Sequence, residues 1–270
     1  MKAVMQAPLN VAELRAALVG TRFPGHLHHF PTVESTNTRL LEAAANGAPE
    51  GTLYLADEQT LGRGRGGHTW HSTPGDGLYL SVLAKPSLHL SEALWLSLAT
   101  GLAAQAAIKT AANLDIDLRW PNDLLFEGKK LGGILVEAAV EPDADATLRY
   151  AVIGIGININ HQSFPPELAP LAISLRIATG QEQSRNTLLI TLLRALDYEL
   201  TQLETQQPDL LDRFTAASTW VLGKRVHVPE QGGYTGITAG LDTRGFLLVN
   251  ADDNTQRTVL SGGVRDAPDL

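Results

Sequence analysis

The chain has 270 residues, is 44% hydrophobic, carries a formal net charge of -8 and contains no cysteine. Disulfides, thiolate metal sites and cysteine nucleophiles are therefore excluded, and the acidic balance removes the basic footprint of a general nucleic-acid binder. The length supports one large domain, or one large and one small.

Residues Met1–Asn10 hold no apolar core of signal-peptide length. The longest uncharged helical stretch, Ala93–Ile108, is too short to span a bilayer and contains Ser97, Thr100 and Gln105. No membrane partner is expected, and a cytoplasmic protein fits. Asn10 followed by Glu13 has the spacing of a capping box, with Val11, Leu14 and Leu18 at helical intervals and Gly20 after them. One short helix is too little for a helix-turn-helix, so no DNA partner is expected. A strand is predicted over Leu27–Val33, and a helix over Thr36–Asn46 begins at Ser35 and ends at Gly47. Strands follow at Thr52–Glu58 and Leu78–Ala84, and a long helix runs from Ser91 to about Ala112. Ile116–Trp120 reads as a strand, and Leu124–Phe126 with Leu131–Ala139 as a hairpin around Glu127-Gly128-Lys129. Ala151–Asn160, apolar on both faces, reads as a central strand. Helices over Asn186–Glu204 and Pro208–Ala217 precede a change of character at Trp220. From there short strands at Arg225–Val228, Gly236–Leu241, Gly245–Val249 and Gln256–Ser261 alternate with glycine-rich turns, the pattern of a small β-barrel of about fifty residues. The expected organisation is α+β, with a domain over 1–218 and a second over 219–270.

The most informative stretch is 57–71, Asp-Glu-Gln-Thr-Leu-Gly-Arg-Gly-Arg-Gly-Gly-His-Thr-Trp-His. Gly62, Gly64, Gly66 and Gly67 let the backbone approach a ligand, Arg63 and Arg65 offer planar forks for phosphate, and Trp70 offers a face for a base. Four other segments carry candidate chemistry. Glu34-Ser35-Thr36-Asn37 places polar groups at a strand-to-helix junction, where they cap the helix, meet a ligand, or do both. Arg119-Trp120-Pro121-Asn122-Asp123 is a turn rich in hydrogen-bonding side chains. In Lys129-Lys130-Leu131-Gly132-Gly133, lysines precede a strand whose glycines clear one patch for close approach. Val152–Asn160 contains Gly154 and Gly156, but Ile159 stands where a dinucleotide fingerprint needs its third glycine. Asn158 ends that strand and can reach an adenine edge. The eight histidines show no metal-ligand spacing, so no protein-held metal site is expected.

Taken together, Gly62-Arg-Gly-Arg-Gly-Gly67 with Trp70, Arg119-Trp-Pro-Asn-Asp123, Lys130-Leu-Gly-Gly-Ile-Leu-Val-Glu137 and Gly154-Ile-Gly-Ile-Asn158 resemble the biotin–protein ligases, in that order. The tail, with Leu222-Gly-Lys-Arg-Val226 and Leu260-Ser-Gly-Gly-Val264, is similar to their small SH3-like domain. The resemblance implies a mixed β-sheet catalytic domain of the class II synthetase-like, biotin–lipoate ligase fold. It implies activation of biotin with ATP and Mg2+ as biotinyl-5′-AMP, then transfer to a lysine of a biotin carboxyl carrier protein domain of a biotin-dependent carboxylase. By position, Ser35, Thr36, Asn37 and Gln59 would hold the ureido ring, with Gly62, Arg63 and Gly64 beside them and Gly133 leaving room. Lys130 would bind the biotin carboxylate and the α-phosphate, aided by Arg65 and Asp123. Arg65, His68, Trp70, Asn122, Lys130 and Asn158 would hold the nucleotide. Gly66 and His68 stand where arginine is common, which predicts weaker phosphate affinity. A homodimer is compatible with the resemblance. The competing readings are a lipoate–protein ligase and a non-catalytic biotin- or nucleotide-binding module.

Overall fold

The structure, a computed structural model, describes residues 9–141, 146–205, 209–230 and 232–267. Two sheets form. The larger has seven strands: β1 (Leu27–Phe30), β2 (Leu53–Ala56), β3 (Gly77–Ala84), β4 (Asp117–Arg119), β5 (Asp123–Phe126), β6 (Lys129–Val140) and β7 (Leu148–Asn158). Their order across the sheet is β1-β2-β3-β7-β6-β5-β4. β1 and β2 run parallel and every other neighbouring pair is antiparallel. The predicted central strand is therefore central, and the predicted hairpin is β5–β6. β1 is shorter than the predicted Leu27–Val33, because Val33 makes only an isolated bridge to Gln59.

Period-two alternation divides the larger sheet into two chemically different faces. Leu78, Leu80 and Val82 of β3 and Ile153, Ile155 and Ile157 of β7 enter the main core. That core is completed by α3 (Ala93–Ala112), which packs against α5 (Arg185–Thr205) and α6 (Leu210–Ala217). On the other face Leu83 and Val152 join Leu40 and Ala44 of α2 (Thr36–Ala45) in a smaller cluster. The predicted start of α6 at Pro208 lies outside the described residues. Before β1 stands α1 (Val11–Ala17), and between β7 and α5 a short helix, α4 (Leu175–Thr179), that the sequence reading did not anticipate.

The capping box at α1 forms only in half. Asn10 Oδ1 accepts from the Glu13 amide at 3.2 Å, but the Asn10 amide donates to Asn186 Oδ1 at 3.1 Å and Glu13 accepts from Asn186 Nδ2 at 2.8 Å. The partner of the reciprocal bond is thus a residue of α5.

The second sheet contains β8 (Leu222–Val228), β9 (Tyr234–Leu241), β10 (Leu247–Ala251), β11 (Gln256–Val259) and β12 (Arg265–Asp266), ordered β11-β10-β9-β8-β12 and antiparallel throughout. It docks on the larger one through specific contacts. The Trp120 indole donates to the Gly245 carbonyl at 2.9 Å, and the Arg119 guanidinium lies 5.3 Å from the centroid of the Trp220 ring.

Candidate active site

The site lies on the α2 side of the larger sheet, where three strands contribute small residues in register. Ser81 of β3 pairs with Gly154 of β7, which pairs with Leu135 of β6; Tyr79 pairs with Gly156, which pairs with Gly133. The glycines are needed for space. A Cβ on Gly154 would stand 2.2 Å from Asn37 Oδ1, and one on Gly156 would stand 2.6 Å from the Trp70 ring.

The N-terminus of α2 forms the polar end. Ser35 caps the helix by accepting from the Thr38 amide at 3.4 Å. Gln59 Oε1 accepts from the Thr36 amide at 2.8 Å and its hydroxyl at 3.1 Å. Helix capping and pocket lining are therefore both true of this segment. The Asn37 side-chain amide donates to the Leu135 carbonyl at 3.2 Å and to Glu137 Oε2 at 3.0 Å, so its oxygen faces Ser81 and Gly154 of the pocket floor. The Ser81 hydroxyl lies 2.5 Å from that oxygen and 2.7 Å from Thr36 Oγ1. Ser35, Thr36, Asn37 and Ser81 are all buried.

The 62–70 loop covers this floor. Within it, Trp70 N donates to the Gly62 carbonyl and Gly64 N to the His68 carbonyl, so the loop closes on itself as a small hairpin. Gly66 and Gly67 have φ of 63° and 80°, which explains glycine at those two positions. Arg63 pairs with Glu137 through both guanidinium nitrogens, at 2.8 and 3.0 Å. Arg65 turns the other way and donates to the Gly262 carbonyl of the second sheet's 260–264 turn. Burial lowers the Arg65 pKa, against the fields of Glu230 and Asp123. His68 is exposed.

Lys130 stands at the other end. Its ammonium is 2.5 Å from Asp123 Oδ1, and Arg119 holds the second carboxylate oxygen at 2.6 Å. Burial pushes the Asp123 carboxyl up, but Lys130 and Arg119 outweigh it and hold the group below the ordinary carboxylate range. Asn122 is fastened to β6 by its side-chain amide, which donates to the Ile134 carbonyl at 2.9 Å.

Two cavities meet at Lys130 and Trp70. The first is lined by the polar end, Arg63, Arg65, Lys130, Gly133 and Gly156. Its free volume is about 40 Å3, room for a few waters and not for a bicyclic ligand. The reason is Trp70, whose ring lies on the Gly133–Gly156 floor with its buried indole nitrogen unpartnered. The second cavity, about 190 Å3, is lined by Trp70, His71, Lys130, Asn158, Phe164 and Leu171, among others. Asn158 donates to the carbonyls of Lys130 and Ile173, at 3.4 and 3.2 Å, which leaves its oxygen as the atom it can offer a ligand. Behind Phe164 the buried ring of His161 stacks at 4.9 Å. Burial, with His71 nearby, lowers the His161 pKa to about 4.

Ser81, Glu137 and Phe164 are among the residues of this site that escaped the sequence reading. Ser81 is the one polar residue in an otherwise apolar β3, and that contrast was a usable signal. Glu137 shares a strand face with Gly133, at even spacing along β6, which was another. Phe164 lies in an irregular segment and carried no periodic signal. Among the described residues no group of three His, Asp or Glu side chains is arranged to hold a metal.

Fold and site together define a pocket of two cavities that meet at a lysine, and comparison with known proteins gives the family. Residues 29–158 match the biotin/lipoate A/B protein ligase family model, and residues 221–264 match the biotin protein ligase C-terminal domain. The chain is 34% identical over 267 residues to the biotin--[acetyl-CoA-carboxylase] ligase of Mycobacterium tuberculosis, covering 96% of each. It is 33% identical over 252 residues to the bifunctional ligase/repressor BirA of Bacillus spizizenii, covering 92% of this chain and 77% of that protein. The solved Aquifex aeolicus biotin protein ligase in complex with biotin and ATP superposes with a TM-score of 0.76 and 30% identity, over 89% of this chain and 98% of that one. The chain belongs to the biotin/lipoate protein ligase family.

Proposed function

We propose that the protein is a biotin–protein ligase. It joins the carboxylate of biotin to the α-phosphate of ATP, releasing pyrophosphate, and then passes the biotinyl group from biotinyl-5′-AMP to a lysine amine of a biotin carboxyl carrier protein, releasing AMP. The observation that carries this reading is the position of Lys130 at the junction of two cavities. One has a polar end and a glycine floor, suited to a compact bicyclic ligand; the other is apolar with an amide at its edge, suited to a purine.

In this reading Thr36, Asn37 and Gln59 meet the ureido ring, and the backbone of Gly62, Arg63 and Gly64 lies beside it. Gly133 and Gly156 leave room for the ring system once the Trp70 indole withdraws from the floor. Asn158 Oδ1 accepts from the adenine amino group, with Phe164 and Trp70 as the aromatic walls. The biotin carboxylate is itself the nucleophile, so no activated serine or cysteine is required. What remains is positioning and charge stabilisation at the α-phosphate, which Lys130 and Arg65 supply. Asp123 keeps Lys130 placed. His68 and Asn122 border the phosphates.

The Asp123 carboxylate already holds two cationic partners, so we do not assign it as a Mg2+ ligand. Magnesium would accompany the nucleotide phosphates and offset their negative charge. The catalytic unit spans 1–218 and the SH3-like unit 219–270. No helix among the described residues is long and apolar enough to cross a membrane, and we place the protein in the cytoplasm, where a carboxylase carrier domain is its partner and DNA is not. Sedimentation velocity tests whether it assembles as a homodimer.

The test is biotin-dependent exchange of labelled pyrophosphate into ATP, with lipoate as competitor. Exchange that lipoate supports and biotin does not would overturn the assignment; no exchange with either acid would point to a non-catalytic binding module.

A further inference from the structure

Glu137 touches neither cavity's ligand surface at the polar end, yet it joins two groups that do. Its Oε2 accepts from Asn37 Nδ2 at 3.0 Å and from Arg63 Nη1 at 3.0 Å, and its Oε1 accepts from Arg63 Nη2 at 2.8 Å. The Asn37 amide has two hydrogens, and the other goes to the Leu135 carbonyl. Glu137 therefore helps decide which end of that amide faces the pocket. A rotated amide would present hydrogens where a ligand N–H needs an acceptor.

The same carboxylate is one of two anchors of the loop. Of the two loop arginines, Arg63 reaches β6 and Arg65 reaches the second sheet. Arg63 is 45% exposed and Glu137 24%, so solvent screens the pair. The fork geometry and the fixed strand position of Glu137 compensate in part, since bidentate pairs are the strong ones.

We propose that Glu137 is a positioning residue that couples the orientation of the Asn37 amide to closure of the 62–70 loop. The loop closes onto the carboxylate that orients the recognition amide, so a ligand bound to Asn37 favours a closed loop, and a closed loop favours the correct amide. The identity of that ligand as biotin rests on the function proposed above.

The substitutions separate the two roles. Glu137→Gln keeps an acceptor for Asn37 and removes the charge that holds Arg63. Glu137→Ala removes both. Arg63→Gln, on the exposed loop, tests the ion pair without touching the sheet. Tryptic cleavage at Arg65 of the full-length, ligand-free protein reports the loop, and calorimetric titration with biotin reports the pocket. Glu137→Gln and Arg63→Gln should each speed cleavage about tenfold, the equivalent of ~1.4 kcal/mol, and weaken biotin by a similar factor, with the KM for ATP little changed. The double variant should be no worse than either single one. Glu137→Ala should be cleaved no faster than Glu137→Gln but bind biotin more weakly. Wild-type cleavage and biotin affinity in Glu137→Gln would overturn the proposal. So would single effects that add in the double variant, or equal losses for biotin and ATP. Should the wild-type protein bind no biotin while the cleavage pattern holds, the ligand assignment falls and the latch stands.

Discussion

The two sides of the first cavity are built by opposite means. The polar end is made of buried side chains on regular elements: Thr36 and Asn37 on α2, Ser81 on β3, each hydrogen-bonded to the next. The facing wall is a glycine-rich loop with Leu61 two-thirds exposed, fastened by two arginines to two different anchors. A preorganised half recognises the ligand, and an adaptable half admits it and then shuts out water. The difference suits a reaction whose activated intermediate must be shielded from hydrolysis and yet later presented to a protein.

The largest expected effect comes from the group that serves both halves. Lys130→Ala should lower biotin-dependent pyrophosphate exchange by two or more orders of magnitude. Charge-assisted hydrogen bonds contribute about 1.5–3 kcal/mol each, and this lysine makes at least two in the proposed complex. Near-normal exchange would remove Lys130 from the mechanism. The next test sets rigid against mobile directly. Gly154→Ala drives a Cβ into Asn37, which is held on three sides, whereas Gly156→Ala drives one into Trp70, whose loop can move. Overpacking costs about 1–3 kcal/mol where neighbours cannot yield, so Gly154→Ala should weaken biotin about tenfold or more and Gly156→Ala clearly less. Equal affinities by calorimetry would erase the distinction between the halves.

The nucleotide side has its own signature. His161 is buried without a partner for either ring nitrogen, and its pKa is lowered to about 4. Below about 6.5 the unfolded chain takes up a proton at this residue that the folded protein refuses. Its contribution to stability is thus present above about pH 6.5 and lost as pH falls toward 4, with a slope of at most ~1.4 kcal/mol per pH unit. Denaturant melts of wild type and His161→Leu across that range should diverge in slope, and parallel curves would show that His161 does not titrate there. The smallest effect belongs to His68, which is exposed in the loop. His68→Arg should slow dissociation of biotinyl-AMP by about threefold, the scale of a screened surface contact. Identical lifetimes for wild type, His68→Arg and His68→Ala would place His68 in solvent.

The elements that local chemistry specifies were legible from the chain. Ser35 caps α2, the hairpin turns at Glu127-Gly128, and the order of four motifs pointed to one family. The small patch was read only in part: it was drawn from Gly132 and Gly133, but adjacent strand residues face opposite ways, so Gly133 faces the site with Gly154 and Gly156 while Gly132 abuts Leu124. What the chain did not disclose is who stands opposite whom. The reciprocal half of the α1 capping box went to Asn186, 173 positions away from Glu13. Trp70, expected beside a base, lies on the glycine floor, and Arg65 reaches across 197 positions to Gly262. Glu137 became a hub only because β6 lies beside β7, within reach of Asn37 at the start of α2 and of Arg63 in the loop. Local spacing determines which face a residue takes. Sheet order, register and the closing of long loops determine what that face meets, and those depend on the packing of the whole core rather than on any one segment.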